Sequence, residues 1–178
     1  MTTVHTVGHG TLGADALASL LADAGIQTLV DVRAYPGSRR HPHFKRDDMR
    51  VWLPAAGCTY VWTPALGGRR RPVPSSKHVA LREESFRAYA DHMETAEFEA
   101  GVVELLDLAV RRSVAVMCSE SVWWRCHRRL LADHLTLARG VEVVHLMHDR
   151  RHTPHGATAG SRLAGGAVVY DVGVDRPL

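Results

Sequence analysis

Val114-Ala-Val-Met-Cys-Ser-Glu-Ser-Val-Trp-Trp-Arg-Cys-His-Arg-Arg129 changes its periodicity partway along. Its first four residues are a short apolar run, the mark of a buried strand. Beyond it, Leu130, Leu131, His134, Leu135 and Ala138 recur at helical spacing. The polar stretch Cys118–Arg129 therefore joins the carboxyl end of a strand to the amino end of a helix. Backbone N–H groups and the helix dipole favour anions at such a place. Two cysteines, a carboxylate, two tryptophans, a histidine and several arginines in one loop suit a site better than a core.

Working outward, short apolar runs alternate with helical patterns. Val4–Val7, Thr28–Val32, Thr59–Trp62 and Val141–Leu146 read as further strands, and Val168–Val172 as a returning edge strand. Ala14–Ala24, Arg46–Ala56, Glu83–Met93 and Ala96–Arg112 read as helices, with Thr95 as the N-cap of the last. Strands alternating with helices predict a single α/β domain: a mostly parallel sheet flanked by helices, Rossmann-like and three-layered. Its extent is residues 1–149. Residues 150–178 are rich in His, Gly and Thr at their start and read as a loose C-terminal tail containing that edge strand.

With 178 residues, the chain is long enough for a core without staples. Three cysteines, an odd number, fit reduced thiols rather than a disulfide framework. No apolar stretch approaches the roughly 20 residues of a membrane span. Met1-Thr-Thr-Val-His5 lacks the pattern of a secretory signal, so a cytoplasmic protein without a membrane partner is expected. The net charge is +3 and the pI near 9.0. Arginines cluster at Arg39-Arg40, Arg69-Arg70-Arg71, Arg125 with Arg128-Arg129, and Arg150-Arg151. Such a stripe either attracts phosphates or is a solvated face.

In open α/β sheets, ligands bind beyond the carboxyl ends of the strands. Unusual polar residues fall at those ends here: His9 after the first strand, Asp31 and Arg33 at the second, Gly67-Gly68-Arg69 beyond the third, Cys118 and Glu120 after the fourth. Gly8-His-Gly-Thr11, Val30-Asp-Val-Arg-Ala-Tyr-Pro-Gly-Ser-Arg-Arg40, Leu66-Gly-Gly-Arg69, Phe86-Arg-Ala-Tyr-Ala-Asp-His-Met93 and the Met117–Glu120 and Trp124–Arg128 segments together resemble the domain-of-unknown-function 488 family. The resemblance runs in order from about Thr3 to Leu146. It implies a small α/β domain of bacteria and archaea and leaves the chemistry open.

Three chemistries compete for these residues. Glu120 beside Trp123 and Trp124 would be desolvated into a useful acid/base range. With Asp31 as a second carboxylate and His9 orienting water, it would suit hydrolysis of a base-glycosidic bond, as in DNA repair or nucleotide cleaning. Arg33, Arg39, Arg40, Arg69, Arg125 and Arg128 would hold phosphate; Trp124 would stack on a base; Phe44, Tyr89 and His127 would wall the pocket. Alternatively, Asp31 and Glu120 pair with Arg33 and Arg125 as structural salt bridges. Cys118 with Arg125 suggests a cysteine phosphatase or sulfurtransferase, though the interval is one residue longer than in the phosphatase loop. Cys118, Cys126, His127 and His9 lack the tight spacing of a structural zinc site, so no metal and no cofactor are expected. The expected partner is a nucleotide or nucleic acid, DNA rather than RNA; a non-catalytic binding module is the remaining alternative. The sequence leaves the oligomeric state open.

Overall fold

The structure, a computed structural model, describes residues 2–173. Five strands run parallel: β1 (Thr3–Gly8), β2 (Thr28–Asp31), β3 (Thr59–Trp62), β4 (Val114–Cys118) and β5 (Glu142–Leu146). A short β6 (His152–Pro154) adds antiparallel to β5, giving the order β3-β2-β4-β1-β5-β6. Parallel neighbours need long crossovers, and helices supply them: α1 (Ala14–Asp23), α2 (Arg46–Ala55), α3 (Glu84–His92), α4 (Ala96–Arg111) and α5 (Arg128–Asp133). The last continues through a π-helical turn at His134–Ala138. Among the described residues, no helix is long and apolar enough to cross a membrane.

All five residues of β4 are buried, as its unbroken apolar run requires of a central strand. Their alternation separates two cores. Val114, Val116 and Cys118 face Tyr89, Phe98, Leu105, Leu130 and Leu135, on α3, α4, α5 and the turn that follows it. Ala115 and Met117 face Leu17, Leu21, Met49 and Leu53 of α1 and α2. These are the two outer layers of the expected three-layer α/β fold. Thr95 caps α4 by accepting the Phe98 N–H at 3.2 Å.

The C-terminal segment differs from expectation. Within residues 150–173 a short strand and a hairpin form and Val168–Tyr170 are buried, while residues 174–178 lie outside the described residues. The returning edge strand is β6, not Val168–Val172. Ala167–Tyr170 (β8) instead pairs with Ser161–Ala164 (β7) in a separate hairpin turned by Gly165 and Gly166. Both glycines have positive φ, 58° and 84°, as a two-residue hairpin turn demands. Tyr170 is fully buried, and its hydroxyl donates to Asp133 Oδ2 at 2.9 Å. The physical reason is that α5 presents a buried carboxylate whose partners lie in this segment.

Beyond their paired ends, β1 and β4 stay joined. His9 N–H donates to the Cys118 carbonyl at 3.0 Å, and Gly10 N–H to that of Ser119 at 2.9 Å. The glycine-histidine turn is thereby fixed to the cysteine loop. Gly8 permits the approach: a Cβ there would collide with the Glu120 carbonyl.

Candidate active site

A cavity of about 520 Å³ opens at the carboxyl edge of the sheet. His9, Arg33, Arg40, Arg69, Cys118, Glu120 and His127 line it, so residues from four strand ends converge there. Cys126, which the sequence reading treated only as a metal candidate, lines it too.

Two cysteines meet at the wall of this cavity. Their Sγ atoms lie 3.2 Å apart. Arg128, 1% exposed, sends its Nε–H to both, at 2.9 Å to Cys118 and 3.3 Å to Cys126. Its own backbone N–H reaches Cys126 Sγ at 3.4 Å. Its Nη2 donates to the Glu120 carbonyl, and its Nη1 to Thr6 Oγ1 at 3.4 Å. The hydrogen bond from Cys118, together with the Arg128 charge and N–H groups, pulls the Cys126 thiol down to about 6, against the opposing effect of burial. Burial pushes Cys118 well above its ordinary value. The surroundings therefore bias Cys126 toward the thiolate and Cys118 toward the S–H form. Arg128 does not line the cavity. Instead of holding phosphate, it lies behind the sulfurs as their counter-charge.

Asp31 is spent elsewhere. Fully buried, it takes Arg33 Nε at 2.9 Å, Nη2 at 2.7 Å and the Arg33 N–H at 3.0 Å. The Tyr60 hydroxyl adds a fourth bond at 2.6 Å. The carboxylate does not reach the cavity, and the structural salt bridge with Arg33 is what forms. Arg33 is aimed in turn at His9, with Nη1 3.3 Å from Nε2. His9 accepts there and gives its Nδ1–H to the Gly10 carbonyl at 2.9 Å. Burial pushes this imidazole down to about 4, so it is neutral. His127 is likewise driven down to about 3 by burial and by Arg128. Its ring packs against Gly68, where a Cβ would strike Nδ1.

The remaining residues divide. Glu120 lines the cavity but is exposed, so the tryptophans do not desolvate it. Its Oε1 lies 3.4 Å from the Val122 N–H and the Ser121 hydroxyl, and no ion pair to Arg125 forms among the described residues. A 3₁₀ turn at Trp123–Arg125 sets the two indoles edge to face, with centroids 5.6 Å apart. Trp123 turns inward to stack on His145, with centroids 4.1 Å apart, while Trp124 stays 45% exposed. Trp124 and Arg125 line a neighbouring cavity instead. Phe44 is buried beneath His9 at 4.2 Å between centroids, and Tyr89 is buried with its hydroxyl on the Leu66 carbonyl at 2.8 Å. Neither walls the cavity. Arg39 is exposed and outside it. No group of three or more metal-ligating side chains is assembled among the described residues.

A crystal structure of a candidate phosphatase (DUF442) from Shewanella putrefaciens CN-32 is similar at a TM-score of 0.39 and 18% identity. The similarity covers 76% of this chain and 66% of that one, so this chain spans just under two thirds of that protein's length. Among curated proteins there is no significant match. The family model described as domain of unknown function DUF488 matches residues 14–135, from α1 to the turn beyond α5 with both cysteines inside, and the chain belongs to that family.

Proposed function

We propose that this protein is a hydrolase whose nucleophile is the Cys126 thiolate and whose substrate carries a phosphate. The observation that carries this reading is a buried arginine donating to two sulfurs 3.2 Å apart, beside a cavity that Arg40 and Arg69 make basic. A thiolate at neutral pH is the reactive form of cysteine. Cys126 Sγ gives its electron pair to phosphorus, the bond from phosphorus to the leaving oxygen breaks, and that oxygen takes a proton from water. Water then attacks the thiophosphoryl phosphorus, releasing phosphate and restoring the thiolate. Arg40 and Arg69 hold the non-reacting oxygens.

Iodoacetamide labelling of Cys126, followed by peptide mass spectrometry from pH 5 to 9, tests the nucleophile. The expected midpoint is near pH 6, with slowing by inorganic phosphate. A midpoint above 8 would remove the thiolate and the proposal with it. Hydrolysis of p-nitrophenyl phosphate should fall on the order of 10³-fold or more in Cys126→Ser.

Base-glycosidic hydrolysis by Glu120 is the second reading, favoured by its position on the wall shared by this cavity and the one that holds Trp124. Base release from a single-stranded oligonucleotide, lost in Glu120→Gln and kept in Cys126→Ser, would establish it over the first.

A further inference from the structure

Beside the thiol cavity lies a second one of about 560 Å³, and the two share Phe86 and Glu120. Arg82, Arg125 and Arg129 line it against two carboxylates, Glu83 and Glu120. None of these three arginines forms an ion pair among the described residues, and neither do Arg40 and Arg69 of the first cavity. Elsewhere on the surface Arg70 is matched with Glu97, Arg139 with Glu99 and Arg162 with Asp171, whereas Arg50, Arg111 and Arg112 also form no ion pair among the described residues. Five arginines without a carboxylate partner thus line the two joined cavities.

An exposed aromatic ring lines each cavity. Trp124 lines the second cavity with its ring 45% exposed. It is held edge-on against Trp123 at 5.6 Å, and Trp123 is itself clamped on His145. Tyr35, 74% exposed, lines the first cavity, with the Arg69 guanidinium 5.8 Å from its ring centre. Between them the Arg129 guanidinium lies over the Phe86 ring at 4.7 Å. Large exposed rings that keep a fixed orientation lose little entropy when a planar ligand stacks on them.

We infer that the two cavities form one track for a single-stranded nucleic acid. Its phosphates follow Arg69, Arg40, Arg125 and Arg82, one base stacks on Trp124 and another on Tyr35, and one phosphate lies by the thiol pair. Unpaired arginines along a groove with aromatic platforms are the physical requirements for binding single strands without base readout. A duplex keeps its bases stacked on one another and offers none to the two rings. The inference rests on the phosphate-bearing substrate proposed above and extends it to a strand.

Fluorescence anisotropy with a 5′-labelled nine-nucleotide thymidylate strand, competed by unlabelled thymidine monophosphate, trimer and hexamer, tests the track in the full-length protein. Competition should strengthen at least tenfold from monomer to trimer. Trp124→Ala and Tyr35→Ala should each weaken binding of the nine-mer about tenfold. Both side chains are exposed, so the variants should fold. Arg82→Ala with Arg125→Ala should flatten the dependence on salt. Arg111→Ala, at an exposed arginine outside both cavities, should bind as tightly as the parent. A monomer that competes as well as the hexamer, indifference to both aromatic substitutions, or a duplex bound as tightly as the single strand would each overturn the track. In every such case the iodoacetamide profile still decides the thiolate independently.

Discussion

Asp133 accepts a hydrogen bond from His155 Nε2 at 2.8 Å, with both side chains almost wholly buried. That contact ties α5, which begins at the arginine behind the sulfurs, to the segment after β6. The Thr158 N–H at 2.9 Å and the Tyr170 hydroxyl at 2.9 Å complete the carboxylate's partners. From His155 the chain continues to His145 at 3.0 Å, then to Thr6 Oγ1 at 2.7 Å, and so to Arg128. The C-terminal segment is therefore part of the support of the site.

Asp133→Ala leaves three donors facing no acceptor. Removing one partner from a buried charged network costs about 3–5 kcal/mol, so the urea midpoint of unfolding should drop sharply. Asp133→Asn keeps one acceptor oxygen and should cost less. If Asp133→Ala unfolds at the parental midpoint, this network does not hold the C-terminal segment.

The strands were readable because runs such as Val114–Met117 must be buried, and the carboxyl-edge rule placed His9, Arg33, Cys118 and Glu120 at one cavity. Asp31 was ambiguous, since a buried aspartate two residues from an arginine spells an ion pair and an acid/base group alike. Cys126 is hard to recognise as a partner of Cys118 because the interval between them fits no familiar spacing. The signal was its place just before a helix that starts with arginine, so that Arg128 could turn back onto it. Which of two adjacent tryptophans faces inward depends on a 3₁₀ turn that periodicity does not show. Gly165-Gly166 is a turn signal for the hairpin, masked by the polar, loop-like composition of the residues before it.

Arg128→Met tests the counter-charge. The guanidinium and its N–H groups help hold Cys126 near 6, so without them the thiol should return toward an ordinary value of roughly 8.5. The iodoacetamide midpoint should rise by more than about one unit. The neutral thiol then needs no counter-ion, and methionine fills the volume, so circular dichroism should remain that of the parent. A midpoint still at 6 would assign the shift to Cys118 alone.

Gly8→Ala places a methyl group against the Glu120 carbonyl, which is also the acceptor for Arg128 Nη2. Backbone cannot yield as a flexible side chain does, so the cysteine loop must move. A loss of about 1–3 kcal/mol in stability is expected from such overpacking. Slower alkylation of Cys126 should accompany it, because the displaced loop carries both sulfurs. Normal stability with normal alkylation would show that the loop adjusts freely.

Acid should destabilise the fold well above the carboxylate range. His9 and His134 are pushed down to about 4, and His127 and His145 to about 3, in each case mainly by burial. An unfolded chain protonates the same imidazoles near 6.5. Between pH 6.5 and 4 the unfolded state therefore binds more protons, and stability must fall as pH falls. Each imidazole contributes on the order of 2 kcal/mol of loss by pH 5. The Cys126 thiolate acts with the same sign at higher pH: its contribution is complete above about 8.5 and is lost as pH descends to about 6. From pH 7 to pH 5 the melting temperature should drop by more than about 10 °C. The Cys126→Ser protein should keep that drop, because the imidazoles produce it, while losing the slope between pH 8.5 and 7. A melting temperature unchanged from pH 7 to 5 would mean that these imidazoles are not buried in their neutral form.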